Sequence, residues 1–117
     1  MKIYDCFGFN DENHLLELRL NELNEYIDYF IIVEFGETHQ GNKKNRNIDI
    51  NLIQKFKNKI RYYFVDKFQN IYEPHGRDQY QRNYLAKGLF DAEENDLILL
   101  SDIDEIPDLN KIEIKNV

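Results

Sequence analysis

The stretch Tyr29 to Val33, YFIIV, presents no charged or amide side chain to water. A short, continuous apolar run of β-branched and aromatic residues reads as a strand covered on both faces. Strands of that kind belong to parallel sheets, because the crossover helices of βαβ units lie over both sides. This run therefore requires helices before and after it and further strands beside it.

The remainder of the chain supplies them. Ile3 to Phe9 is a short apolar-rich strand closed by Gly8 and Asn10. Asn10 or Asp11 is suited to cap a following helix. In that helix Leu16, Leu20, Leu23 and Ile27 fall on one face. After Val33 comes a polar loop, EFGETHQGNKKNRN, and then a weak helix over Ile50 to Phe56. Arg61 to Val65 is a third strand, and Pro74, His75 and Gly76 break the chain. Arg77 to Ala92 is a second strong helix, with Leu85, Leu89 and Ala92 on one face. Asp96 to Ser101 is a fourth strand, which Pro107 keeps from extending, and the last ten residues are suited to start another helix. Strands alternating with helices predict an α/β unit, a mainly parallel sheet with helices on both faces. In such sheets ligands bind outside the carboxyl ends of the strands.

A chain of 117 residues makes one domain, and eight Tyr with eight Phe give it material for a core. Cys6 is the single cysteine, so no internal disulfide is possible. No apolar run approaches the roughly 20 residues that span a bilayer, and MKIYDCFGFN meets charge too soon for a signal peptide. The expectation is a soluble, cytoplasmic protein with no membrane segment. The net charge of −7 is unevenly spread. Residues 1–40 carry nine acids and two bases, 41–90 four acids and eleven bases, and 91–117 nine acids and two bases. Two readings follow: three solvated surfaces that attract one another, or a basic middle facing an anionic ligand with a cation held at the acidic end. Nucleic acid is excluded as a partner by the low pI and the lack of a basic stripe interleaved with aromatics.

The fourth strand runs into a cluster of acids, DLILLSDIDEIPD. Clustered carboxylates repel one another, so solvent or a cation has to offset the cost. On an extended strand end residues two apart point the same way. Asp102 and Asp104 then converge, with Ile103 turned back into the core. Two carboxylates at such a place suit Mg²⁺ or Mn²⁺, which take one or two carboxylates together with substrate phosphates and water. Two enzyme classes use an Asp-x-Asp of this sort. Haloacid-dehalogenase-like phosphatases carry it on their first strand, with the required partners downstream; only 13 residues follow Asp104 here. Nucleotide-sugar glycosyltransferases of the GT-A type carry it after a half-Rossmann nucleotide-binding unit, which matches its position here.

The opening DCFGFNDENHLLELRLNELNEYIDYFIIVEFGETHQG, the later QRNYLAKGL and the SDIDEIPD block together resemble glycosyltransferase family 17. That family includes the β-1,4-mannosyl-glycoprotein 4-β-N-acetylglucosaminyltransferases. The resemblance covers nearly all of the chain. It implies a GT-A-like nucleotide-sugar-binding unit over 1–117, with the acceptor half absent. The implied activity is metal-dependent, inverting transfer of GlcNAc from UDP-GlcNAc to a glycan acceptor. The alternative is a non-catalytic module that binds a nucleotide or a metal.

The resemblance also implies roles. Asp104 holds the divalent cation, Asp102 the cation or the ribose, and Glu105 stands behind them. Arg82 either reaches the diphosphate or pairs with Asp102, and Arg77 is a weaker candidate for the same anion. Asn10, Asp11 and Glu12 follow the first strand, where the base and ribose of the nucleotide are held in GT-A proteins. Glu34, at the end of the second strand, either faces the nucleotide or is a polar strand end. His39 is read as a solvated loop residue, and His14 and His75 as surface residues. Cys6 belongs to the core, and Glu17 and Arg19 anchor structure. The catalytic base is expected beyond the acidic motif, so none is assigned. The unpaired sheet edge after the fourth strand invites a second chain or a second copy.

Overall fold

The computed structural model describes residues 1–36, 45–65 and 74–108, by backbone alone over 74–79. Its elements follow in the order β1 (Ile3–Phe9), α1 (Asn13–Leu23), β2 (Tyr29–Phe35), α2 (Ile50–Lys55), β3 (Ile60–Val65), α3 (Pro74–Leu85), a short 3-10 segment (Ala86–Leu89) and β4 (Leu97–Leu100). The four strands form one sheet in the order β3-β2-β1-β4. Every pairing is parallel, with Tyr4 beside Tyr29, Phe30 beside Ile60 and Ile3 beside Leu97. This is the α/β, half-Rossmann-like unit that the alternation requires.

The period-two geometry of strands sorts the side chains to two faces. Ile3, Phe7 and Phe9 of β1 and Phe30 and Ile32 of β2 pack with Leu16, Leu20, Leu23, Ile27, Leu52 and Phe56 on the side of α1 and α2. Tyr4 and Cys6 of β1 and Ile31, Val33 and Phe35 of β2 pack with Leu85 on the side of α3. The two-sided burial expected of Tyr29–Val33 is thus met. Gly88 allows a close approach on the second face: a Cβ there would lie 2.5 Å from Cγ2 of the buried Ile31. Cys6 is buried, and burial pushes its thiol pKa up to about 12, as befits a core residue.

Four expectations need correction. Neither Asn10 nor Asp11 caps α1. The residue at that position is Glu12, which makes no side-chain cap bond. Its Oε1 instead accepts from the amides of Asn10 (3.0 Å) and Asp11 (2.7 Å), closing a turn on itself. Pro74, His75 and Gly76 do not break the chain but begin α3. Proline is tolerated in the first turn because the N–H it lacks has no intrahelical partner there. The helix expected over 77–92 gives way to the 3-10 segment at Ala86, where Gly88 meets Ile31. Finally, β4 is not a buried strand. Among the described residues it pairs with β1 alone, and Ile98 and Leu100 remain 43% and 51% exposed on the α3 side. The sheet edge expected after the fourth strand is there; what differs is the open face of β4, because an apolar run does not reveal which elements will cover it. The polar loop from 37 to 44, including His39, and the helix expected after 108 lie outside the described residues.

Among the described residues no helix is long and apolar enough to cross a membrane.

Candidate functional site

Strand order β3-β2-β1-β4 reverses direction at β1. From β1 the chain winds outward through β2 to β3, then crosses over by α3 to β4 on the other side. Such a reversal opens a crevice at the carboxyl ends of the two flanking strands. Here those strands are β1 and β4. Asn10, Asp11 and Glu12 follow the first, and Ser101 to Asp108 follow the second.

The segment after β4 is a turn rather than an extended strand end. The Ser101 amide donates to the Cys6 carbonyl (3.3 Å), the last rung between β4 and β1. The Glu105 amide then donates to the Asp102 carbonyl (2.9 Å), and the Asp102 amide donates to Glu105 Oε1 (2.8 Å). The two-residue spacing of Asp102 and Asp104 therefore sits on a reverse turn, which corrects the strand-end reading. Ile103 does turn back into the core, as expected, and is 4% exposed. Burying it contributes about 1.5–3 kcal/mol toward holding the turn down. Asp102 and Asp104 are exposed.

Beneath the turn lies Arg19 of α1, fully buried. Its Nε and Nη2 donate to the two carboxylate oxygens of Asp5, at 2.8 and 2.7 Å. Nη2 also donates to Ser101 Oγ (2.7 Å). Nη1 donates to the carbonyls of Asp102 (2.8 Å), Glu105 (3.1 Å) and Ile103 (3.3 Å). The guanidinium lies over the Phe7 ring at 4.6 Å. Arg19 anchors structure, as expected, and its partner Asp5 was not foreseen. The signal was present: a carboxylate in the middle of an apolar strand and an arginine on the leucine face of α1 each need a partner.

Arg82 of α3 approaches from the other side, with Nη2 3.6 Å from Asp102 Oδ1. Of the two alternatives for Arg82, the pairing with Asp102 is the one seen. Both side chains are substantially exposed, so the pair itself contributes about 0–1 kcal/mol and can exchange for another anion at little cost. The other described cations of the basic middle do not gather here. Arg61 is bound to Asp91, Arg46 lies over the Tyr62 and Phe64 rings, and Lys59 Nζ donates to the Asn24 carbonyl. The side chain of Arg77 is not among those described.

Glu34 corrects a further expectation. It does not end β2, which continues to Phe35, and it is fully buried. Its carboxylate accepts from Tyr62 Oη (2.7 Å) and from the Asn47 amide (3.0 Å). Burial and that hydrogen bond push the Tyr62 hydroxyl pKa up. Asn47 in turn donates from Nδ2 to Asp11 Oδ1 (2.7 Å). Glu34 thus supports the loop residue that touches Asp11.

An open groove of about 570 Å³ flanks the turn, and its lining includes Asp104, Glu105, Leu99, Leu100 and Pro107. Among the described residues no group of three or more His, Cys, Asp or Glu is arranged to hold a metal. What remains is two exposed carboxylates on one turn. That donor set fits a hard cation which completes its shell with phosphate oxygens and water.

The model of Glycosyltransferase family 17 matches residues 1–117, the whole of the chain. The chain belongs to glycosyltransferase family 17. Three similar proteins are the beta-1,4-mannosyl-glycoprotein 4-beta-N-acetylglucosaminyltransferases of Rattus norvegicus and Homo sapiens, each 27% identical, and of Mus musculus, 26% identical. Each match covers 91% of this chain and 22% of the relative, so this family 17 chain spans about a fifth of their length. No solved structure matches it. Family 17 membership agrees with the resemblance carried by the sequence blocks.

Proposed function

We propose that the chain is the nucleotide-sugar-binding, GT-A-like part of an N-acetylglucosaminyltransferase that uses UDP-GlcNAc and a divalent cation to glycosylate a glycan with inversion. The observation that carries this reading is the acidic turn at the carboxyl end of β4, beside the point where the sheet reverses. Family membership and the activity for which the relatives are named support it.

In this reading Asp104, with Asp102, holds Mn²⁺ or Mg²⁺ through hard oxygen ligands. When bound, the cation supplies Lewis-acid charge to the departing diphosphate. Arg82 leaves its loose pairing with Asp102 and adds positive charge at the same diphosphate. Asn10 and Asp11 line the side of the base and ribose, with Asp11 steadied by Asn47. The Glu105 carboxylate is spent on the Asp102 amide, so it shapes the turn instead of binding the cation.

Calorimetric titration of UDP and UDP-GlcNAc with and without Mn²⁺, on the wild type and on Asp104→Asn, tests the reading. The expected result is metal-dependent binding that the substitution abolishes. A folded wild type that binds neither nucleotide would refute it and make the acidic turn a solvated surface feature.

A further inference from the structure

We infer that Arg19, gripped by Asp5, is the positioning residue of the acidic turn: its buried guanidinium draws the carbonyls of Asp102, Ile103 and Glu105 inward and thereby fixes the outward aim of the Asp102 and Asp104 carboxylates. The inference rests on the proposed donor site in one respect, that those two carboxylates are what the site uses.

Arginine has five N–H groups in a rigid fork. An ion pair with Asp5 needs only two of them, one on Nε and one on Nη2. The remaining three all go to residues 101–105, meeting Ser101 Oγ and the three carbonyls. An arginine kept only to satisfy Asp5 has no reason to collect its other acceptors from a single turn. Three acids in four positions, Asp102, Asp104 and Glu105, would otherwise push that turn apart. With three carbonyls held from below and the Ile103 side chain in the core, the course of the turn is fixed, and along it both aspartates are exposed. Because Asp5 offsets most of the charge of Arg19, the effect is one of geometry more than of field. Lysine, a point charge on a flexible stem, cannot reproduce the fork.

Two measurements test this. The first is amide hydrogen exchange on the wild type, read at Glu105, whose N–H is bonded to the Asp102 carbonyl. Protection close to that of Ser101, the last rung of the sheet, is expected. Exchange at the rate of an unstructured chain overturns the inference whatever the protein binds. The second is titration of UDP with and without Mn²⁺ on Arg19→Lys and on Ser101→Ala, which leaves the Asp5 pair intact. The metal-dependent gain in UDP affinity should fall about 10- to 100-fold in Arg19→Lys, as when a residue supporting a metal ligand is lost. Ser101→Ala should lower it less, and metal-free UDP affinity should hold in both. A folded Arg19→Lys with the full metal-dependent gain overturns the inference, and so does an equal loss with and without metal. Should Arg19→Lys not fold, Ser101→Ala and the wild-type exchange decide. A wild type that binds no UDP under any condition sinks the proposed function instead, and the loss of Glu105 protection from wild type to Arg19→Lys still decides whether Arg19 fixes the turn.

Discussion

Arg19 and Arg61 each grip an aspartate through two prongs, Arg19 beneath the carboxyl ends of the strands and Arg61 beside their amino ends. The distances are alike: 2.7 and 2.8 Å to Asp5, and 2.8 Å twice to Asp91. The surroundings are not. The Asp5 pair has no exposure at all, and the surplus donors of Arg19 go to the backbone of a turn. The Asp91 pair is partly open to water, and Arg61 spends its surplus on the Gly88 carbonyl and on the Tyr29 and Phe90 rings, 3.9 and 4.6 Å away. One pair therefore organises a segment that would otherwise be loose, while the other fastens elements that the core already holds. The same chemistry serves site or scaffold according to what the remaining donors reach.

Removing one partner should separate them most. Arg19→Ala leaves the Asp5 carboxylate buried and unpaired, and should cost about 3–5 kcal/mol by urea denaturation. Arg61→Ala leaves Asp91 able to reach water, so the loss should be smaller, about 1–3 kcal/mol, from charge-assisted hydrogen bonds and ring contact. Equal losses would break the comparison. The double replacement Asp5→Leu with Arg19→Leu sharpens it. Apolar residues of similar size often substitute for a buried pair at little cost, so most of the stability lost in Arg19→Ala should return. The protection of the Glu105 amide should not return, because no donor then meets the carbonyls above.

This contrast also marks what the sequence can reveal. Tyr29–Val33 required a covered strand, and the helical spacing of Leu16, Leu20 and Leu23 required a face for it; both needs are local and both are met. The acidic turn was legible as an acidic segment after an apolar run. Its shape was not, because the reverse turn depends on Arg19, 83 positions from Asp102 along the chain. Glu34 misled for the same reason. A carboxylate near a strand end reads as solvent-facing until Tyr62 and Asn47 are brought over it. The exposed side of β4 was hidden too, since apolar residues look alike whether or not another element covers them. Pairings across long stretches of chain decide these features, and periodicity carries no trace of them.

The smallest expected effects are the pH limits of the Arg61 clamp. The Arg61 guanidinium, followed by the Tyr4 hydroxyl at 2.9 Å, holds the Asp91 carboxyl well below the usual carboxylate range. A depressed folded pKa gives stability that is complete above the unfolded value of about 3.9 and is lost as pH falls toward the folded one. Wild type should therefore exceed Asp91→Asn in melting temperature by a constant margin from about pH 5 to about pH 9, and the margin should shrink below about pH 4. At the alkaline end burial first, then the bond to Asp91, pushes Tyr4 up to about 12. A raised pKa works in the opposite sense: its stabilisation is complete below about pH 10 and fades as pH rises. Tyr4→Phe should flatten that alkaline decline and leave the acid limb of Asp91 in place, though weakened, because Arg61 is the larger cause of the Asp91 shift. Melting curves across the pH range for the three proteins check both limbs. An acid limb that survives in Asp91→Asn would mean that another carboxylate sets it. The Arg61 pair would then be a contact of packing alone, and the contrast with Arg19 would be wider still.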